Sequence, residues 1–286
     1  MHLGIDIASV DSNKLVDWKL AVSAGVQFAY FRASYKLWAD STWREEAGRA
    51  RQAGVLPGAY LFPVMDKNAL SAAEQVKAFR SSCGNLEKND LPPALDIEFP
   101  GGIAKTGRSQ SELIAWIQEA IAELTLHFGF SPVLYTSGRV WDGQDSDSLN
   151  SANRGFPECP LWLARYPYKT QISPVIDPST VDALALPPVP KAWGEANDVW
   201  IHQYQGDAVK LPGFTATEDL NRFFELKLGD HGERVKWTQR RLRITTDGIF
   251  GLLTEHAIKL FQSDKLLPAS GIVDPVTFAN LCRVKL

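Results

Sequence analysis

Pro92-Pro93-Ala94-Leu95-Asp96-Ile97-Glu98-Phe99 is the stretch from which the organisation of the chain can be read. In a β-strand, residues i and i+2 project from the same face. Asp96 and Glu98 therefore point one way, with Cα atoms about 6–7 Å apart. Leu95 and Ile97 point the other way, into apolar packing. Two acids side by side at a strand end resist joint ionisation, so one can keep its proton near neutral pH, as a general acid must. A strand with one solvated face accounts for the same four residues, and the tetrapeptide alone leaves both readings open.

Similar short strands recur on either side. Leu3 to Ile7, Val26 to Ala33, Val55 to Phe62 and Ala94 to Phe99 read as strands, and Thr42 to Ala53, Ser71 to Phe79 and Ser109 to Phe128 as helices. Ser71 and Glu74 have capping-box spacing, while Gly54 and Gly129 stand where helices stop. Leu113, Trp116, Ile117, Ile121, Leu124 and Phe128 fall at helical spacing. Pro132 to Thr136, Pro160 to Ala164 and Val199 to Tyr204 read as further strands, separated by long connections. The connection from Tyr166 to Asp198 carries several prolines; loops that long inside a compact domain are often functional. Repeated β-α units imply a parallel sheet. About eight strands of this kind predict an α/β fold over residues 1–225, an irregular (β/α) TIM-like barrel with reduced helices in its second half. The site of such a barrel lies at the C-terminal strand ends, where Asp6, Asp96 and Glu98 fall.

Residues 226–286 read differently, as a small all-α three-helix bundle. Asp247-Gly248-Ile249-Phe250-Gly251-Leu252-Leu253-Thr254 and Ser270-Gly271-Ile272-Val273-Asp274-Pro275-Val276-Thr277 form an approximate repeat. Each Gly-Ile turn leads into a short helix, Thr254 to Gln262 and Pro275 to Leu281, and Gly232 to Leu242 supplies the third. Asp274-Pro275 suits an N-cap followed by the first helical position. No long linker precedes the bundle, so the two units are expected to be held close together.

A 286-residue chain with 45% hydrophobic and 22% charged residues has the composition of a soluble globular protein. It holds no run of about 18 apolar residues. Met1-His2 leads straight into a strand, so synthesis in a cytoplasm without a signal peptide is expected. Cys83, Cys159 and Cys282 are widely spaced and odd in number, which disfavours a disulfide framework. The five histidines form no H-E-x-x-H or Cys/His cluster, so neither metal nor cofactor is expected. The net charge of −3 hides an asymmetry: residues 226–286 hold ten Lys/Arg against six Asp/Glu, and the remainder twenty against twenty-seven. A basic tail module on an acidic body suggests an anionic partner. Ten cations without a dense run are a weak nucleic-acid footprint. No membrane partner is expected either, and the chain reads as a monomer.

Two resemblances emerge from ordered blocks. Residues 1–225 resemble the family 25 glycoside hydrolases, the lysozymes or N-acetylmuramidases of bacteria and phages. The blocks are Gly4-Ile5-Asp6, Val16-Asp17-Trp18, Ala24-Gly25-Val26-Gln27-Phe28, Ala53-Gly54-Val55, Gly58-Ala59-Tyr60-Leu61-Phe62, Leu95-Asp96-Ile97-Glu98, Leu134-Tyr135-Thr136, Leu161-Trp162-Leu163-Ala164-Arg165-Tyr166, Gln203-Tyr204 and Asp219-Leu220-Asn221-Arg222-Phe223. Residues 226–286 resemble a three-helix peptidoglycan-binding module, through Gly229-Asp230, Gly232, Val235, Gln239, Leu242, Asp247-Gly248, Phe250-Gly251, Thr254, Ala257, Phe261-Gln262, Gly271 and Thr277. The combination resembles a phage or prophage endolysin, which implies action on the cell wall after release through a separate membrane pore. The chain departs from the lysozyme pattern at Ala8-Ser9-Val10-Asp11, at His202 before the Gln-Tyr pair, and at Leu61.

The resemblance implies hydrolysis of the β-1,4 bond between N-acetylmuramic acid and N-acetylglucosamine, with Glu98, Asp96, Asp6 and Asp219 as the acids. Glu98 is the expected general acid, its pKa raised by repulsion from the other three. Asp96 would stabilise charge at the anomeric carbon or position a water or the substrate's acetamido group. Asp6 and Asp219 would support them through hydrogen bonds. Among the aromatics near strand ends (Tyr60, Phe62, Tyr135, Trp162, Tyr166 and Tyr204), Tyr60, Tyr135, Tyr166 and Trp162 are the expected substrate-binding residues, with Gln203, Asn221 and Arg32. The rival readings are a barrel glycosidase acting on another N-acetylated glycan and a non-catalytic wall-binding protein. The D-x-x-D-x-D-x-E pattern of family 18 chitinases is missing ahead of Glu98, and a non-catalytic barrel has no reason to keep four acids.

Overall fold

The strand alternation seen in the sequence closes on itself. A computed structural model describes residues 2–8, 16–142, 148–149, 156, 158–166, 189–190, 193 and 198–285. Most of the proline-rich connection, and Ser9 to Asp11, lie outside the described residues. The strands are β1 (His2–Ile7), β2 (Val26–Tyr35), β3 (Trp38–Ala39), β4 (Leu56–Phe62), β5 (Ala94–Asp96), β6 (Val133–Ser137), β7 (Leu161–Ala164), β8 (Val199–Val209) and β9 (Glu218–Phe223). The helices are α1 (Trp18–Ser23), α2 (Trp43–Gln52), α3 (Ala72–Cys83), α4 (Gln110–Phe128), α5 (Gly138–Asp142), α6 (Glu233–Leu242), α7 (Leu252–Asp264) and α8 (Pro275–Cys282). All the strands except β3 form the barrel, in the order β1-β2-β4-β5-β6-β7-β8-β9, with β9 returning to β1. β3 is a short antiparallel partner of β2.

Two helices begin as their sequences prescribe. The Ser71 and Ser109 hydroxyls accept from the backbone N–H of Glu74 and Glu112, and each Glu side chain reaches back to the cap backbone. Gly129 ends α4 in the left-handed conformation at φ 80°. The short helix α1, capped by Asp17, was not legible in the sequence.

The expectation of a wholly parallel sheet needs correction at β9, which runs antiparallel to both β8 and β1. Only residues 210–217 separate β8 from β9, too few for a crossover helix, so the chain turns back as a hairpin. The strand expected over Ala94 to Phe99 ends at Asp96. Ile97 still donates to the Tyr135 carbonyl at 2.8 Å, but Pro100 brings no donor, and Gly101 and Gly102 turn the backbone away at positive φ.

Alternation along the strands makes two apolar layers. Leu3, Ile5, Phe31, Leu61, Leu95, Ile97, Leu134 and Leu163 face outward under the helices, in one buried cluster. Phe28, Tyr30, Tyr60, Tyr135 and Trp162 belong to the other cluster, which fills the barrel. Glycines opposite these rings make room for them: a Cβ on Gly4 would lie 2.1 Å from the Phe28 ring, and one on Gly58 2.5 Å from Tyr30.

The inner layer continues into the three-helix module. Phe278 of α8 has its ring centroid 4.6 Å from Trp200, 5.4 Å from Phe223 and 5.7 Å from Trp237. Polar contacts fasten the edge of this joint: Glu233 N–H to Asp198 at 3.1 Å, Asn280 to Asn89 at 3.1 Å, and Arg283 to the Glu87 carbonyl at 3.1 Å. Arg241, one of the basic residues that give the module its positive balance, is buried, with its guanidinium 3.5 Å from the Trp237 ring centroid. The internal repeat also has a physical basis. Gln239 donates to Thr254 and the Ile249 carbonyl and accepts from Gly248 N–H; Gln262 repeats this with Thr277, the Ile272 carbonyl and Gly271 N–H. Each buried amide ties a Gly-Ile turn to the helix that follows. The three cysteines are buried and free.

Because Phe278 belongs to the module core and the barrel floor together, Phe278→Ala should destabilise the chain by about 3–5 kcal/mol. Loss of secondary structure and loss of barrel tryptophan fluorescence should move together in thermal unfolding. A barrel transition left in place while the module melts early would contradict the shared core.

Candidate active site

The C-terminal strand ends surround an open cavity of about 220 Å³, lined by Asp6, Ala8, Arg32, Tyr60, Phe62, Asp96, Glu98, Tyr135, Trp162, Thr217, Glu218 and Asp219. Pairing registers bring the acids together. Asp6 is opposite Asp219 across β1 and β9, and Asp96 is level with Tyr135 across β5 and β6. The four expected acids thus meet in one cavity with Arg32, Tyr60, Tyr135 and Trp162. Gln203, Asn221 and Tyr166 are not in its lining; they hold the residues that are.

The support is a network of amides. Asp6 Oδ1 accepts from Asn221 Nδ2 at 2.7 Å and from Gln203 Nε2 at 2.9 Å. Gln203 Nε2 also lies 3.2 Å from Asp219 Oδ2. Trp162 Nε1–H donates to Asn221 Oδ1 at 2.7 Å, which orients the Asn221 amide nitrogen toward Asp6. Gln203 Oε1 accepts from the hydroxyls of Tyr135 at 2.8 Å and Tyr166 at 2.7 Å. Gly206 makes room for Tyr166, since a Cβ there would come within 2.6 Å of its hydroxyl. Trp162 is itself buried, stacked on Tyr30 at 4.7 Å and edge-on to Tyr135 at 4.7 Å, so only part of its ring reaches the cavity. Tyr204 lies on the opposite face of β8 from Gln203 and is buried in the outer layer.

Burial dominates the electrostatics. Asp6 keeps some contact with the cavity but is otherwise enclosed by protein; desolvation lifts its pKa to about 6, against opposing hydrogen bonds from Asn221, Gln203 and Asp219. Asp96 is pushed well above its ordinary value by burial, then by the charges of Glu98, Asp6 and Asp219, with Arg32 opposing. Among the described residues nothing hydrogen-bonds its Oδ1. Glu98, the more open of the central pair, is also raised. Its cause corrects the sequence expectation. Desolvation raises Glu98, with a Tyr135 hydrogen bond opposing, whereas like-charge repulsion falls on Asp96 and Asp6.

Arg32 lines the cavity, yet its ion pair is with Asp40, Nε to Oδ2 at 2.6 Å. Its charge reaches Asp96 through space. Phe62, Thr217 and Glu218 belong to the lining without having been selected from the sequence. Phe62 could have been found by its parity with Tyr60 on β4; Thr217 and Glu218 depend on the unforeseen β9. His202, placed where the resembled family commonly has Trp, lies outside the barrel interior. It receives Arg222 Nε–H on Nδ1 at 3.1 Å and contacts the Arg165 carbonyl through Nε2 at 2.7 Å. Burial pushes its pKa down to about 4, so it is a neutral packing group near pH 7. Among the described residues no His/Cys/Asp/Glu group is arranged to hold a metal ion.

Comparison with known proteins points the same way as this geometry. Residues 5–209 match the model of the glycosyl hydrolases family 25, and residues 231–281 match that of a putative peptidoglycan binding domain. Lysozyme M1 of Streptomyces globisporus is 27% identical over 215 residues, which cover 73% of this chain and 69% of that protein. Among solved structures, a muramidase from Acremonium alcalophilum superposes with a TM-score of 0.59 at 29% identity, covering 78% of this chain and 94% of its own. A family GH25 lysozyme from Aspergillus fumigatus does so with a TM-score of 0.59 at 26% identity, covering 78% and 93%.

The raised pKa of Asp6 has a stability consequence of definite sign. With a folded value of about 6 against an ordinary 3.8, the native state binds the extra proton between those values. Stability contributed by this group therefore falls as pH rises from about 4 to 6. Asp6→Asn removes that titration. Its melting temperature relative to wild type should climb between pH 4 and pH 7, and a difference that stays flat would contradict the assignment.

Proposed function

The chain belongs to family 25 of the glycosyl hydrolases, and from that premise we propose how its own residues hydrolyse peptidoglycan. It is a lysozyme with a C-terminal peptidoglycan-binding domain. Its reaction is cleavage of the β-1,4 bond between N-acetylmuramic acid and N-acetylglucosamine. The observation that carries the assignment of roles is the convergence of Asp6, Asp96, Glu98 and Asp219 on one cavity at the barrel mouth.

Glu98 is the general acid. Desolvation favours its protonated form, and its more open position gives it access to a glycosidic oxygen. When it passes its proton to the departing sugar oxygen, the carboxylate left behind needs a donor. The Tyr135 hydroxyl has one proton to give and hydrogen-bonding contact with both Gln203 and Glu98. It turns to Glu98 as charge develops there, while Tyr166 keeps Gln203 Oε1 occupied. Asp96 is deeper, and its Oδ1 lacks a protein partner among the described residues. An acetamido N–H from the substrate meets the part of the Asp96 carboxyl that reaches the cavity, and this holds that group beside the anomeric carbon as positive charge builds. Asp6 and Asp219, fixed by Gln203 and Asn221, keep Asp96 in a field of negative charge that stabilises an oxocarbenium-like transition state. Water then completes the hydrolysis and returns a proton to Glu98. The chain acts as a monomer on wall glycan strands, and neither nucleic acid nor membrane takes part in the reaction.

Purified peptidoglycan treated with wild type should yield new reducing ends of N-acetylmuramic acid, and Glu98→Gln should lower kcat by about 10²-fold or more. New glucosamine ends would move the cleaved bond, and a fully active Glu98→Gln would remove Glu98 from its role. The Tyr135 hydrogen bond lowers the Glu98 pKa, so Tyr135→Phe should shift the alkaline limb of kcat/KM to higher pH. A shift in the opposite direction would contradict the proton-donor assignment.

A further inference from the structure

Arg32 and Tyr35 are three residues apart on β2, and regular alternation would put them on opposite faces. A bulge intervenes. Arg32 pairs with Tyr60, but the register then slips so that Ser34 pairs with Leu61 and Tyr35 with Phe62. Tyr35 thereby joins Arg32, Tyr60 and Phe62 on the cavity side of the sheet, the re-aiming that bulges near active sites characteristically perform. β2 then folds back through Lys36, at φ 54°, and Leu37 into β3, where Trp38 pairs with Tyr35. Cross-strand partners share a face, so Trp38 also stands on the cavity side.

The result is an aromatic row running out of the cavity. Phe62 lines the cavity; Tyr35 lies 5.6 Å from Phe62 and 6.0 Å from Trp38, centroid to centroid. The hairpin carrying Trp38 is fastened by the Arg32–Asp40 ion pair and by Asp40 N–H to the Ala33 carbonyl at 3.0 Å. Lys36 N–H donates to the Phe62 carbonyl at 3.0 Å. Despite this anchorage, Trp38 is 70% exposed. A single exposed apolar side chain is ordinary, but this one ends a continuous row held by an ion pair that begins in the cavity wall.

We propose that Tyr35 and Trp38 form an outer glycan subsite, in which the indole of Trp38 stacks against a pyranose beyond the cleaved linkage. The inference rests on the lysozyme reading of the neighbouring cavity. The C–H face of a pyranose is apolar and weakly electropositive, which matches the negative face of an indole. A ring on an anchored two-stranded hairpin binds with little loss of conformational freedom. The subsite therefore selects for longer strands and contributes to binding rather than to the bond-breaking step.

The test is titration calorimetry of soluble glycan strands, prepared from peptidoglycan and four or eight sugars long, into the Glu98→Gln chain and into Glu98→Gln with Trp38→Ala. Trp38→Ala should weaken the eight-sugar strand roughly threefold to tenfold and leave the four-sugar strand unchanged. Trp38→Phe should restore most of the loss. Equal binding of the eight-sugar strand by both chains, with unchanged thermal unfolding, would overturn the subsite and leave the lysozyme reading intact. Equal weakening at both lengths would also overturn it, since Trp38 would then act on the central site. If Glu98→Gln binds neither strand, the glycan-cleft reading and the subsite fall together.

Discussion

Closure of the barrel by a strand that runs against its neighbours is the constraint on which the site depends. Because β9 is antiparallel to β1, Asp219 arrives beside Asp6 instead of at the far end of the barrel. Two residues further along, Asn221 lies between Gly4 on one side and Gln203 on the other. The amides of Gln203 and Asn221 then converge on Asp6. Burial lifts the carboxyls of Asp6, Asp96 and Glu98, so this group holds protons above the ordinary carboxylate range. The same closure thus assembles the donors and sets the protonation of the acids they hold.

Beneath the carboxylates the interior is aromatic, from Tyr135 and Trp162 through Tyr30 to Phe28 and Phe223, and this column passes into Trp200 and Phe278 of the joint. A binding module suspended on a flexible linker would leave the enzyme free to sweep the wall around one attachment point. Here the module instead forms the floor of the barrel, opposite the cavity. Whatever surface of the module grips peptidoglycan is held at a fixed distance from Glu98, and part of the module's positive charge is withdrawn into the joint at Arg241.

Local rules made much of this legible. The capping box at Ser71 and the apolar spacing from Leu113 to Phe128 located two helices, and the two-residue spacing of Asp96 and Glu98 brought both onto one cavity. The ordered blocks identified the family now shown by comparison. What stayed hidden depends on pairing between distant residues. The direction of β9 follows from the short 210–217 connection, but its register with β1 does not. Gln203 and Asn221 fall outside the cavity lining and work by orienting acids, a distinction that residue identity cannot make. The shift at Glu98 comes from desolvation, which needs coordinates, whereas repulsion can be guessed from a list of acids. Trp38 was invisible for a related reason: only the bulge after Arg32 turns it toward the cavity.

Desolvation raises the pKa values of the carboxyl groups at the barrel mouth and so keeps protons on them above the ordinary range. Side-chain carboxyl ¹³C titration of the folded protein reads this protonation group by group, with Asp6→Asn, Asp96→Asn and Glu98→Gln assigning the resonances. Asp6 should titrate near pH 6, and Asp96 should titrate well above the ordinary carboxylate range and move down when the charge of Glu98 is removed. Titration of all three groups between about pH 3.5 and 4.5, as for solvated carboxylates, would contradict it.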